Sequence, residues 1–90
     1  MQFSDEEIKA TILYNLRRKR KIGGAHTHFD TLKRGFPSHL GKDVKNLANE
    51  IIKEGLILTK STPYGLQVWL NKDRIGEIEA YILKVLNLKV

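Results

Sequence analysis

The stretch Thr27–Leu70, THFDTLKRGFPSHLGKDVKNLANEIIKEGLILTKSTPYGLQVWL, decides the fold. Thr27 and Asp30 form a cap pattern that starts a helix of about two turns, and this helix stops at Gly35 ahead of Pro37, because the residue before a proline is disfavoured in the helical region. Ser38 is the N-cap candidate of the next helix, with Gly41 leaving its start between Ser38 and Lys42. From there Val44, Leu47, Ala48, Ile51 and Ile52 recur at helical spacing. Lys42, Asp43, Lys45, Asn46, Asn49, Glu50 and Lys53 fall on the other side, and Gly55 supplies the C-cap. The pattern then changes to strand. Residues 56–60 and 66–70 flank the turn-forming run Ser61-Thr62-Pro63-Tyr64-Gly65, with Pro63 suited to the first central position of a β-turn.

On the N-terminal side, Ser4-Asp5-Glu6-Glu7 is a capping box, and Phe3 and Ile8 flank it as a hydrophobic staple. Helix 1 is expected from Asp5 to about Arg20, with Ile8, Ile12 and Leu16 on one face. Its acids lie in the first turn and its bases in the last, as the helix dipole favours. Gly23-Gly24 ends it. On the C-terminal side, Asn71 caps a last helix, roughly Lys72 to Leu88. Its apolar face, Ile75, Ile78, Ile82, Val85 and Leu86, is broadened by Tyr81, Leu83 and Leu88. This area either completes the core with helix 1 or forms a dimer interface.

Ninety residues fit a single domain, 1–90, with one modest core. The chain has no cysteine, which excludes disulfides and thiolate metal sites. No apolar run approaches the roughly 20 residues that span a bilayer. The N-terminus is acidic where a secretory signal would be basic and then apolar, so a cytoplasmic protein is expected and no membrane partner. The net charge is +6. Residues 1–45 hold +5 of it and residues 46–90 hold +1, so the positive field belongs to the N-terminal half, where Arg17-Arg18-Lys19-Arg20-Lys21 is its densest part. The partner such a field selects is a polyanion.

The strings Leu47–Ile57, LANEIIKEGLI, and Tyr64–Asn71, YGLQVWLN, resemble the recognition helix and wing of winged helix-turn-helix domains, found in many small bacterial and archaeal transcriptional regulators. The likeness rests on Ile51 four residues before the closing glycine, Val44 seven earlier, and the apolar start of a strand at Leu56 and Ile57. It implies an α+β, mainly helical fold: a three-helix helix-turn-helix core, a β-hairpin wing and here an additional C-terminal helix. It also implies a short strand near Ala25-His26-Thr27.

In that family the third helix lies in the major groove, the wing touches backbone or minor groove, and the second helix and its turn hold phosphates. Carried onto this chain, the resemblance implies groove contacts from Ser38, His39, Lys42, Lys45, Asn46 and Asn49, and wing contacts from Lys60, Ser61, Thr62 and Tyr64. Lys42 and Lys45 suit phosphates or guanine acceptors, and Asn46 and Asn49 present paired donor and acceptor groups to adenine. Helix 3 holds no arginine, the commonest guanine reader. Arg17, Arg18 and Arg20, extended by Lys33 and Arg34, contact phosphates without reading bases.

The remaining candidates carry less. His26, His28 and His39 are assigned hydrogen-bonding or phosphate-contacting roles, and no metal or other cofactor is expected. Trp69 alternates with Val68 and Leu70 and is assigned to packing against the last helix or a second subunit, ahead of base stacking. No phosphate-binding glycine loop, nucleophile motif or paired acids mark an enzyme. The expected function is double-stranded DNA binding by a homodimeric transcriptional regulator or chromosome-associated factor. The competing reading is a protein-interaction module within a larger nucleic-acid-processing assembly, and a third is RNA or single-strand binding.

Overall fold

Ser4 and Glu7 start the first helix by bonding to each other. In the computed structural model, which describes residues 3–89, the Glu7 amide donates to Ser4 Oγ at 3.1 Å and the Ser4 amide to Glu7 Oε1 at 3.0 Å. Both halves of the capping box that opens α1 (Asp5–Arg18) are thus closed. Phe3 meets Phe36 edge-on, with ring centroids 5.8 Å apart.

Helix α1 ends at Arg18, short of the Arg20 that the sequence pattern predicts. Arg20 takes a left-handed φ of 57°. Its amide and that of Lys21 bond back to Arg17 O at 3.1 Å and Leu16 O at 2.9 Å, the paired closure of a Schellman end. The early stop has a cause in the sheet. The Leu70 amide donates to Lys21 O at 2.8 Å and the Gly23 amide to Leu70 O at 3.2 Å, so residues 21–23 leave the helix to reach a strand edge. Gly23 completes that contact and Gly24 lies in the loop beyond it.

The next elements are shorter than expected. Strand β1 is Thr27–His28, and the two-turn helix predicted after it is a five-residue 3-10 turn, Phe29–Lys33. Thr27 belongs to the strand and does not cap the turn. Thr31 Oγ1 instead donates to His28 O at 2.7 Å. Pairing of residues 27 and 28 with the sheet delays the turn to Phe29, and Gly35, at φ 88°, and Pro37 end it early. A second 3-10 turn, Ser38–Leu40, leads into α2 (Gly41–Lys53), the third helix of the sequence reading. No side chain caps α2, and Ser38 sits inside the turn before it. Gly55 closes α2 at φ 83°, a conformation glycine adopts without a Cβ clash, as Leu56 N reaches Ile51 O at 3.3 Å.

Strands β2 (Ile57–Thr62) and β3 (Gly65–Leu70) form the hairpin around Pro63-Tyr64. The antiparallel sheet has the order β1-β3-β2, with Thr27 opposite Val68 and Ile57 opposite Leu70. Ile57, Val68 and Leu70 are fully buried on one face. The alternate residues Leu58, Lys60, Gln67 and Trp69 lie on the other. Asn71 Oδ1 accepts the Asp73 amide at 3.0 Å, starting a 3-10 turn, Lys72–Arg74, that runs into α3 (Ile75–Leu86).

The core joins Ile8, Ile12 and Leu13 of α1, Val44 and Ile51 of α2, the inner sheet face, and Ile78 and Ile82 of α3. Burial of each such side chain contributes about 1.5–3 kcal/mol. Arg17 Nε donates to Glu79 at 2.9 Å and the Tyr81 hydroxyl to Glu6 O at 3.4 Å, holding α3 along α1. The inner face of α3 therefore completes the core with α1. The result is a small α+β domain of three α-helices and a three-stranded antiparallel sheet. Among the described residues no helix is long and apolar enough to cross a membrane.

Candidate nucleic-acid interface

Helix α2 buries Val44, Leu47, Ala48 and Ile51, and this fixes what it turns outward. Lys42, Asn46, Asn49 and Lys53 follow one another at spacings of four, three and four residues along the solvent side, and all are exposed. Lys53 is absent from the groove residues that the resemblance implies, although its spacing from Asn49 places it on the same stripe. Of the two acids on the helix, Glu50 is drawn toward α1, where Lys9 Nζ lies 3.8 Å from it and 3.0 Å from Glu54. The Glu54 carboxylate holds the Lys9 ammonium pKa above its usual value. Lys45 sits on the opposite flank, 3.7 Å from Asp30.

The basic residues around the Phe29–Lys33 turn are linked by shared hollows. Lys19 and Arg34 border one, Lys33 and Arg34 a second, and Lys33, Lys42, Lys45 and Asn46 a third, open depression of about 430 Å³. A band of cations thus runs from the end of α1 across the turn onto α2. Asp30 is its one acid along those hollows. Arg34 and Lys33 are exposed, as are Ser38 and His39 ahead of α2. Arg18 and Arg20 are exposed at the end of α1, the former with its guanidinium 5.8 Å from the centre of the Tyr14 ring. Arg17 stands apart, because its guanidinium is engaged by Glu79.

At the hairpin tip, Tyr64 is 87% exposed. Thr62 Oγ1 donates to Gly65 O at 2.8 Å and accepts the Tyr64 amide at 3.2 Å, so this hydroxyl builds the turn. Lys60 is exposed on the outer sheet face, directly across from Gln67.

That outer face differs from the sequence reading. Trp69 packs on His26, with ring centroids 4.3 Å apart and planes 28° from parallel, and not on the last helix. Leu58 is its cross-strand neighbour, and the Gln67 amide donates to His28 Nδ1 at 3.0 Å. His26 directly precedes β1, a strand that only tertiary pairing defines, so local sequence carries no signal for the stack. Among the described residues no group of His, Cys, Asp or Glu is arranged to hold a metal.

A cleft of about 370 Å³ opens between α1, the end of α2 and α3. Leu13, Ile51, Leu56 and Val85 give it apolar walls, and Lys9, Glu54 and Tyr81 stand at its polar side. Burial pushes the Tyr81 phenol above its ordinary pKa.

No family of known proteins, no curated protein and no solved structure matches this chain.

Proposed function

We propose that this protein is a winged-helix domain that binds double-stranded DNA, as a transcriptional regulator or chromosome-associated factor. The element order supports the fold assignment: α1, a short strand, a turn in place of the second helix, α2, the β2–β3 hairpin and α3. In this reading α2 enters the major groove with Lys42, Asn46, Asn49 and Lys53, and the hairpin tip reaches the backbone or minor groove with Lys60 and Tyr64. Lys19, Arg34, Lys33 and Lys45 hold phosphates along the band. The observation that carries the reading is the continuity of that band with the outward stripe of α2. Two copies joined through α3 would present two such helices to one duplex.

The test is fluorescence anisotropy of labelled duplex titrated across salt. Replacing Lys42 and Lys45 with Ala removes two phosphate-neutralising groups, so the log–log slope falls by about 1.8. The melting temperature stays near that of the parent, because the exposed Lys45–Asp30 pair contributes at most about 1 kcal/mol. Unchanged affinity and slope would remove α2 from the interface. The second reading, a protein-interaction module in a nucleic-acid-processing assembly, draws on the apolar-walled cleft beside Tyr81. In that case duplex binding is weak and indifferent to α2.

A further inference from the structure

We infer that the outer face of the sheet is a second nucleic-acid site, one that takes an unpaired base of a single strand on the His26–Trp69 stack. The platform has the required geometry. Two flat rings are already stacked at 4.3 Å, with planes 28° apart, and the outer ring, His26, is exposed. A base added to His26 extends the stack by one layer, and base–aromatic stacking is tolerant of sequence because every base has a π-face. Beside the stack lie hydrogen-bonding groups that read base edges: the Gln67 amide and the His28 ring, joined at 3.0 Å, with Lys60 across the strand.

Charge identifies the occupant. Residues 17–29 and 55–72 contain no Asp or Glu and hold seven Lys and Arg, six of them besides Arg17, which Glu79 engages. The fold brings these two acid-free segments together, since Lys21 and Gly23 bond to Leu70, the residue after Trp69. Lys72 closes the same corner, its side chain coming within 3.9 Å of where a Cβ on Gly23 would stand. An aromatic platform with Lys60 on its own sheet face and Lys72 at the Gly23 corner suits a base joined to phosphates, and Asp30, the acid that shares a hollow with His28, is itself 3.7 Å from Lys45. An apolar or acidic peptide would engage only one of those two features. A duplex, whose bases are already stacked, offers nothing to His26. This site is separate from the α2 stripe.

Trp69 is the only tryptophan, so its emission reports on this face alone. The experiment titrates oligo-U RNA and oligo-dT DNA of roughly eight nucleotides, a length within the usual single-strand site size, against the whole chain, with a duplex of equal length as comparison. Single strands are expected to quench Trp69, and the RNA and DNA arms show whether the 2′-hydroxyl matters. His26→Ala and Trp69→Leu should each weaken single-strand binding about tenfold or more and leave duplex affinity unchanged, while His26→Tyr restores it. His26 is exposed, so its replacement leaves the fold intact whatever Trp69→Leu does. Absence of quenching, or single-strand affinity indifferent to His26→Ala, overturns the inference. Failure of duplex binding with retained single-strand binding would remove the groove reading of α2 and leave this site standing.

Discussion

Arg20 and Gly55 occupy equivalent positions in two helix ends, and only one of them suits its backbone. Each follows the C-cap of its helix in a left-handed conformation, Arg20 at φ 57° and Gly55 at φ 83°. Each end is closed by the same pair of back-bonded amides. For a residue with a Cβ this conformation costs roughly 1–2 kcal/mol, which glycine avoids. Arg20→Gly should therefore stabilise the domain by about 1 kcal/mol, raising the melting temperature by about 4–8 °C for a domain of this size. The same change removes a cation from the densest basic run, so nucleic-acid affinity should fall as stability rises. A melting temperature that stays level or drops would show that Arg20 is held by contacts that outweigh its backbone strain. At Gly55 the opposite change is unfavourable twice over. A Cβ would be strained and would stand 2.9 Å from Arg74 Nη1, which donates to Glu54 O.

Among the elements, α1 is the one whose start is set by a titratable group. Hydrogen bonds from the Ser4 backbone and then its side chain hold the Glu7 carboxyl below its usual value of 4.5. A carboxyl depressed in the fold contributes stability above its unfolded pKa and loses it as pH falls through the folded one. Glu7→Gln keeps an acceptor but removes the charge that favours the bond and the helix N-terminus. The parent should therefore melt above Glu7→Gln at pH 7, and the gap should close as the pH falls from 4.5 through the lowered folded value. A gap independent of pH would assign the difference to side-chain shape. Elements of this kind were legible in the sequence because their determinants are local. The Ser4–Glu7 box, the Val44–Ile51 periodicity, Gly55 and the Pro63 turn each act within a few residues. What escaped the sequence depends on distant partners. β1, which the family resemblance implies near residues 25–27, falls at Thr27–His28 because Val68 and Gln67 lie opposite it, and α1 stops early because Lys21 and Gly23 pair with Leu70. The same holds at the candidate interface. The stripe on α2 follows from helical spacing, whereas the engagement of Arg17 by Glu79 and the stacking of Trp69 on His26 join residues 62 and 43 positions apart, beyond the reach of local pattern.

For the whole molecule the open question is what covers the outward side of α3. Ile78 and Ile82 are turned into the core, which leaves Gly76, Ala80 and Leu83 along the solvent side, Leu83 being 44% exposed. Leu88, 40% exposed, follows the left-handed Asn87 that closes the helix. Small residues at positions 76 and 80 allow another backbone to come close, and the charges beside the strip select an orientation. Glu77 and Lys84 are seven residues apart and lie on the same flank. In an antiparallel two-fold pairing centred near Ala80, Glu77 of each copy, which Arg74 Nη2 bonds at 2.6 Å within its own chain, also meets Lys84 of the other, so one contact is satisfied twice. A parallel pairing would set like charges side by side. The expectation is a dimer of twice 10.3 kDa by light scattering. Ala80→Glu, placing a carboxylate at the two-fold centre on an exposed position, should return it to monomer with its melting profile no longer dependent on concentration. Glu77→Lys alone should also dissociate it by opposing two lysines, and pairing that variant with Lys84→Glu should restore it by exchanging the charges. A parent that remains monomeric, or a double variant that stays dissociated while folded, would exclude this pairing and leave α3 a purely internal element.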